Sequence, residues 1–210
     1  YEVYAQYWAD LTASNGSYGV SVMNDSKYGW DKPDNNTLRL TLLHTPKTKE
    51  HYAYQNCQDF GYHTFTYSLI GHAGALDVVQ IREEAESLNQ RIKALDTEKH
   101  SGELGRKYSL AFSDNRNVLI KALKKAESSD EYVVRVYETG GKLAQEASIV
   151  FADNIVAAVE ADGTEKTINK ADFSGNCLKV FINPNSIKTY KVRFASERKA
   201  QMVTKPLLLT

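Results

Sequence analysis

Period-two alternation of apolar and polar residues runs through most of this chain, and no other feature narrows the available folds as much. Tyr18, Val20 and Val22 fall on one face of an extended segment, and Leu38, Leu40 and Leu42 on one face of the next. His63, Phe65, Tyr67 and Leu69 do the same in a third, with Tyr62, Thr64, Thr66 and Ser68 opposite. Successive side chains of a strand point to opposite sides, so each pattern predicts a strand with one face against a core. Further extended runs follow at 118–123, 132–137, 146–151, 155–159, 178–182 and 187–194. Between them stand Asn15-Gly16, Pro33-Asp34-Asn35-Asn36, Asp162-Gly163 and Ser174-Gly175-Asn176, residue types that tolerate the dihedral angles of tight turns.

One stretch keeps a different period. Val78, Ile81, Ala85, Leu88, Ile92 and Leu95 recur at steps of three and four, while Arg82, Glu83, Glu84, Glu86, Arg91 and Lys93 fill the remaining faces. That spacing predicts an amphipathic helix over about residues 77–92, with Asp77 as its N-cap. The order is strands, one helix, a polar loop at 96–105, then strands. A doubly wound α/β fold needs a helix between successive strands and is excluded. The expectation is a mainly β chain, a β-sandwich or partial supersandwich with one amphipathic helix. Its 210 residues suit one large all-β domain, 1–210, or two smaller ones divided near residue 100 into 1–100 and 101–210.

Charge excludes some partners. Lysine plus arginine and aspartate plus glutamate each number 26, so no bulk field attracts nucleic acid or an anionic membrane, and neither is expected as a partner. Lys121, Lys124 and Lys125 read as the solvated edge of a strand. Cys57 and Cys177 are too few for a disulfide scaffold, and whether they pair is left open. No stretch approaches the roughly 20 apolar residues of a membrane span. The chain starts at Tyr1 with no leader pattern, so the expectation is a soluble piece of a longer polypeptide; its compartment is left open, with periplasmic or secreted as options.

Catalytic motifs are missing. The sequence holds no Gly-x-Ser-x-Gly, no phosphate loop, no Cys-x-x-Cys and no His-Glu-x-x-His. His63 reads as a hydrogen-bonded core histidine on the apolar face of its strand, and His72 as a surface or interface residue at the strand's end. His44, His51 and His100 fall in or beside loops, and Glu83 and Glu84 on a solvated helix face. Asn15, Asn24 and Asn35 each head an Asn-x-Ser/Thr glycosylation pattern.

One block stands out. Gln6-Tyr7-Trp8-Ala9-Asp10-Leu11 is followed by Tyr18-Gly19-Val20-Ser21-Val22-Met23-Asn24-Asp25-Ser26-Lys27-Tyr28-Gly29-Trp30-Asp31, then by Thr37-Leu38-Arg39-Leu40-Thr41-Leu42-Leu43 and Asp59-Phe60-Gly61-Tyr62-His63. This resembles the family 38 glycoside hydrolases, the α-mannosidases. Shorter blocks, Ile120-Lys121-Ala122-Leu123-Lys124, Arg135-Val136-Tyr137-Glu138 and Ile187-Lys188-Thr189-Tyr190, extend the resemblance in the same order. Departures at Lys47-Thr48-Lys49, Ile70-Gly71-His72 and Arg91-Ile92 fit surface variation.

The resemblance implies the C-terminal β-rich part of a zinc-dependent retaining α-mannosidase. Its nucleophile and its zinc would belong to an N-terminal catalytic domain of the same polypeptide, outside these residues. A retaining glycosidase needs two carboxyl groups about 5 Å apart. Without them this region is expected to be inactive alone, to scaffold the catalytic domain, and through the parent enzyme to meet mannose-containing glycans. Asn24, Asp25, Lys27 and Tyr28, a polar loop at the end of a strand, are the candidates for an interdomain, substrate-proximal position. The other reading is a stand-alone carbohydrate-binding module, because the 13 tyrosines with Trp8 and Trp30 could stack on sugar rings.

Overall fold

The computed structural model describes residues 2–45, 60–102, 106–141 and 145–195. Cys57 and His51 lie outside them, as do Lys47-Thr48-Lys49 and Asp59. The chain divides into two compact units, Tyr1–Lys99 and His100–Thr210.

The first unit carries two three-stranded antiparallel sheets and the helix. One sheet is built from β1 (Val3–Tyr4), β4 (Gly29–Asp34) and β5 (Thr37–Leu40), in the order β1-β4-β5. The other is β2 (Trp8–Thr12), β3 (Tyr18–Asn24) and β6 (Tyr67–Ala73), in the order β2-β3-β6. Gly16, at φ 68°, supplies the left-handed residue of the β2–β3 turn, and the Asn15 side chain accepts the Ser17 N–H at 3.1 Å. Trp30 is the anchor of the β1-β4-β5 sheet, 2% exposed, with its indole N–H donating to the Ala5 carbonyl at 3.1 Å.

Helix α1 (Val78–Asn89) packs on β2 and β3 and buries Val79, Ile81, Arg82 and Ala85. Asp77 caps it as its residue type predicts, accepting from the backbone N–H groups of Val79 and Gln80. The helix was expected over about residues 77–92, ending or loosening between Asn89 and Leu95. It ends at Asn89, whose amide donates to the Ala85 carbonyl and to the Asn24 carbonyl, and Ile92 and Leu95 are almost fully exposed. Among the described residues no helix is long and apolar enough to cross a membrane.

Two sequence-based expectations are corrected here. The third strand starts at Tyr67, not at His63, so His63 precedes it and holds no place on a strand face. The predicted buried faces of β3 and β6 are also inverted. Tyr18, Val20, Tyr67 and Leu69 are exposed, while the small residues Gly19 and Ser21, with Met23, lie buried on the face that α1 covers. A helix can approach a sheet closely only where that sheet's side chains are small, so Gly19 and Ser21 choose the covered face and the larger apolar side chains turn outward. A Cβ at Gly19 would lie 2.4 Å from His72 Nε2 and 2.9 Å from Thr12 Oγ1. Gly19→Ala is therefore expected to cost about 1–3 kcal/mol by overpacking, read as a lower urea midpoint at unchanged slope.

The second unit is a β-sandwich. Its strands are β7 (Ala111–Ser113), β8 (Val118–Lys125), β9 (Tyr132–Glu138), β10 (Gln145–Phe151), β11 (Ile155–Ala161), β12 (Thr167–Lys170), β13 (Phe173–Ser174), β14 (Cys177–Ile182) and β15 (Ile187–Phe194). They form a four-stranded sheet β13-β14-β10-β7 and a five-stranded sheet β12-β11-β15-β9-β8, all pairings antiparallel. Ala147, Ile149, Phe151, Leu178, Val180 and Ile182 from the first sheet meet Val118, Val134, Val136, Ala158, Tyr190 and Val192 from the second in one core. Here period-two alternation predicts burial correctly, because two sheets pressed face to face bury alternate residues of both. Phe194 closes one part of this core against Phe151 and Tyr132, with ring centres 5.1 and 5.4 Å apart. The predicted hairpin at Asp162-Gly163 joins β11 to β12, with Asp162 Oδ1 accepting the N–H groups of Thr164 and Lys166.

Candidate functional site

The four residues picked out from the sequence fall where β3 ends and β4 begins, and they divide into two kinds. Asn24 is 2% exposed and builds the turn: its Oδ1 accepts the N–H groups of Ser26 at 3.1 Å and Lys27 at 2.6 Å, and its own N–H donates to the Tyr7 carbonyl. Such a side chain has no room for a glycan, so of the three glycosylation patterns only the exposed Asn15 and Asn35 remain.

Asp25, Lys27 and Tyr28 reach the surface. Asp25 Oδ1 accepts the Thr66 N–H at 3.0 Å and the Ser26 hydroxyl at 2.9 Å, and its N–H donates to the Thr66 carbonyl. The Thr66 backbone bond, more than any other influence, holds this carboxyl below the ordinary range. The Lys27 ammonium lies 5.0 Å from the centre of the Phe65 ring, within cation–π reach. Tyr28 is 51% exposed, and its carbonyl accepts the Ala5 N–H. Beside the loop, Tyr7 sits at φ 69°, with the Trp8 N–H bonded to the Gln6 carbonyl at 2.8 Å. A non-glycine residue at the centre of so tight a turn is strained, and strain of this kind persists where neighbouring structure imposes it. The tie between Asn24 N–H and the Tyr7 carbonyl is one such constraint.

A second polar cluster was not legible in the sequence. Under α1, Asp10 on β2 accepts the Thr12 hydroxyl at Oδ1 (2.6 Å) and the Ser21 hydroxyl at Oδ2 (2.7 Å), while His72 Nε2 lies 3.0 Å from Oδ2. Ser21 is fully buried, and the Asp10 and His72 side chains are 7% and 13% exposed. Burial alone would raise the Asp10 pKa. The bonds from Thr12, Ser21 and His72, with the His72 charge, override it and hold the carboxyl below its ordinary 3.8. His72 does stand near the end of β6, as expected, but its side chain is 13% exposed and bonded to Asp10, so it is not a surface residue. The one sequence signal was the pairing of small residues, Gly19 and Ser21, with large ones on a single strand.

The chemistry open to this cluster is limited. The Ser21 hydroxyl donates to Asp10 and not to the imidazole, so no base activates it as a nucleophile. Among the described residues no group of three or more histidine, cysteine, aspartate or glutamate side chains is placed to hold a metal ion. Glu83 and Glu84 stand on the exposed side of α1, and His63 is half-buried outside any strand. Cys177 is a free, half-buried thiol with Sγ 3.5 Å from Asn176 Oδ1.

Comparison with known proteins places these features. Residues 1–52 match the profile described as "Glycosyl hydrolases family 38 C-terminal domain", and residues 117–190 the profile "Glycosyl hydrolases family 38 C-terminal beta sandwich domain". One profile falls in each compact unit. The chain is 30% identical over 197 residues to alpha-mannosidase G of Dictyostelium discoideum, covering 91% of this chain and 17% of that protein. Against human alpha-mannosidase 2C1 the identity is 33% over 144 residues, covering 67% and 13%. The chain thus spans about a sixth or less of the length of these curated relatives. A crystal structure of an alpha-mannosidase from Enterococcus faecalis shares the fold with a TM-score of 0.71 at 16% identity, over 92% of this chain and 21% of that one.

Proposed function

Because this chain belongs to family 38 of the glycosyl hydrolases, as part of the family's C-terminal β region, we propose that it is the non-catalytic β part of an α-mannosidase and scaffolds an N-terminal catalytic domain of the same polypeptide. The observation that carries this is the inverted face of the β2-β3-β6 sheet. Tyr18 is 64% exposed, Tyr67 58%, Leu69 61% and Val20 40%, all on one side. Beside them Val22, Trp30, Leu38, Leu40 and Leu42 line an apolar hollow of about 160 Å³. A contiguous apolar and aromatic face of this kind is what one domain presents to another. The relatives supply the occupant, since most of their length lies outside the region matched here.

In this reading the hydrolysis of terminal α-mannosides is done by the catalytic part, which retains configuration through a carboxylate nucleophile. Zinc belongs to that part as well, where it would bind sugar hydroxyls. Asp25, Lys27 and Tyr28 stand on the loop that reaches the substrate cleft.

The test uses the full-length enzyme and a chromogenic α-mannoside. Leu69→Glu places a charge in the proposed interface and is expected to reduce kcat/KM by tenfold or more while leaving the melting temperature of the isolated 210-residue chain unchanged. Equal activity of Leu69→Glu and the parent sinks the scaffold reading. Lys27→Met keeps an apolar stem on Phe65 and removes only the charge; a raised KM is expected, and unchanged kinetics removes the loop from the cleft. The isolated chain is expected to release no chromophore, with or without added zinc.

A further inference from the structure

An open sheet ends in strands whose outer backbone groups lack a partner, and folded chains guard such edges with charge, shortness, proline or bulges. Most edges of this chain are guarded. β7 has three residues, β13 and β1 have two each, and β5 has four with Arg39 among them. β12 has four and ends in Lys170. β8 carries Lys121, Lys124 and Lys125 with a register shift between Ile120 and Ala122, and β2 turns Asp10 inward. β6 departs from the rule. It runs Tyr67-Ser68-Leu69-Ile70-Gly71-His72-Ala73, seven residues without lysine, arginine, aspartate, glutamate or proline, and pairs with β3 in unbroken register along its whole length. Among the described residues no other strand pairs with it.

The register fixes which backbone groups face outward. In an antiparallel ladder, directly opposed pairs alternate between bonded and non-bonded. The Asp25 N–H donates to the Thr66 carbonyl and the Gly74 N–H to the Ser17 carbonyl, one at each end of the ladder. Counting inward by twos, Ser68, Ile70 and His72 bond to β3, while Tyr67, Leu69, Gly71 and Ala73 turn their N–H and C=O groups to the open edge. Tyr67 and Leu69 also place their side chains on the exposed apolar face. An uncharged row of donors and acceptors bordering an apolar face is a template for a strand, held by main-chain hydrogen bonds and by every second side chain.

We propose that β6 takes up one more strand, an extended and uncharged segment of the same polypeptide from outside these residues, with an apolar side chain at every second position to continue the face of Tyr67 and Leu69. The source of that strand rests on the scaffold reading. The region matched here is 17% of one relative and 13% of another, so ample chain exists to supply it. A tethered strand meets the edge at high effective concentration, whereas an unguarded edge left open invites edge-to-edge aggregation.

The test is hydrogen–deuterium exchange of the full-length enzyme, resolved to single amides by fragmentation. The expected result is slow exchange at Tyr67, Leu69, Gly71 and Ala73 as well as at Ser68, Ile70 and His72. Fast exchange confined to the first four overturns the added strand; if Leu69→Glu still lowers activity, the scaffold reading survives without it. Slow exchange at all seven beside a fully active Leu69→Glu keeps the strand and removes the scaffold reading. Protection of the four that fades on dilution puts a second copy on the edge and overturns this occupant. A Cβ at Gly71 meets nothing within 4 Å, so alanine and proline both fit there, and only proline removes an edge N–H. In the full-length enzyme Gly71→Pro is expected to melt several degrees below the parent and Gly71→Ala no lower than the parent. Equal melting of the two variants also overturns the added strand.

Discussion

Replacing Glu138 with alanine is expected to remove about 3–5 kcal/mol from the second unit, enough to leave it largely unfolded at physiological temperature. Glu138 ends β9 and is 2% exposed. Its Oε1 accepts the Gly140 N–H at 2.8 Å, and its Oε2 accepts the N–H groups of Gly141 at 2.9 Å and Asn185 at 3.0 Å. One carboxylate thus ties the turn after β9 to the turn between β14 and β15. Gly141 at φ 62° and Asn185 at φ 52° aim their amides inward from the left-handed region. Alanine leaves three backbone donors without their acceptor, and hydrogen bonds to a charged group are each worth roughly 1.5–3 kcal/mol. Glu138→Gln keeps the shape and one acceptor oxygen and is expected to lose about half as much. Urea unfolding followed by the tryptophan-independent far-UV signal decides between them; a Glu138→Ala midpoint within error of the parent would show that the nest is not what holds these turns.

Asp10→Ala is the second large effect, expected at about 2–4 kcal/mol in the first unit, since it strands the Ser21 hydroxyl and the His72 imidazole under α1. It also makes a prediction in pH. The folded-state pKa of Asp10 lies below its ordinary 3.8, so its bonds stabilise the fold fully above 3.8 and the contribution disappears as the pH falls through the lower, folded value. Unfolding free energies measured across that acid window should therefore converge for the parent and Asp10→Asn, and separate at neutral pH. A constant gap at all pH values would mean that the charge of Asp10 plays no part.

Much of the second unit was legible in advance. Its strands alternate, its turns carry Asp162-Gly163 and Ser174-Gly175-Asn176, and its two inner faces bury the residues that alternation selects. The first unit was legible only in outline. The strands β3, β5 and β6 and the Asp77 cap were predicted while β1, β2 and β4 were not, and the buried faces were not, because alternation marks two faces and does not say which one a helix will cover. The loop at Asn24–Tyr28 shows the same division. A polar run after a strand announces a turn, yet only the hydrogen bonds separate Asn24, which holds the turn together, from Asp25, Lys27 and Tyr28, which it presents.

The sequence by itself determined the periods, the turns, the helix cap and the family, since each is written in neighbouring residues or in blocks of them. Tertiary structure alone decided which face of the β2-β3-β6 sheet is buried, that Asp10 meets His72 across 62 positions, and that Glu138 gathers amides from two separate turns. Burial and long-range hydrogen bonds depend on which surfaces meet in space, and a local pattern of residues does not encode that meeting.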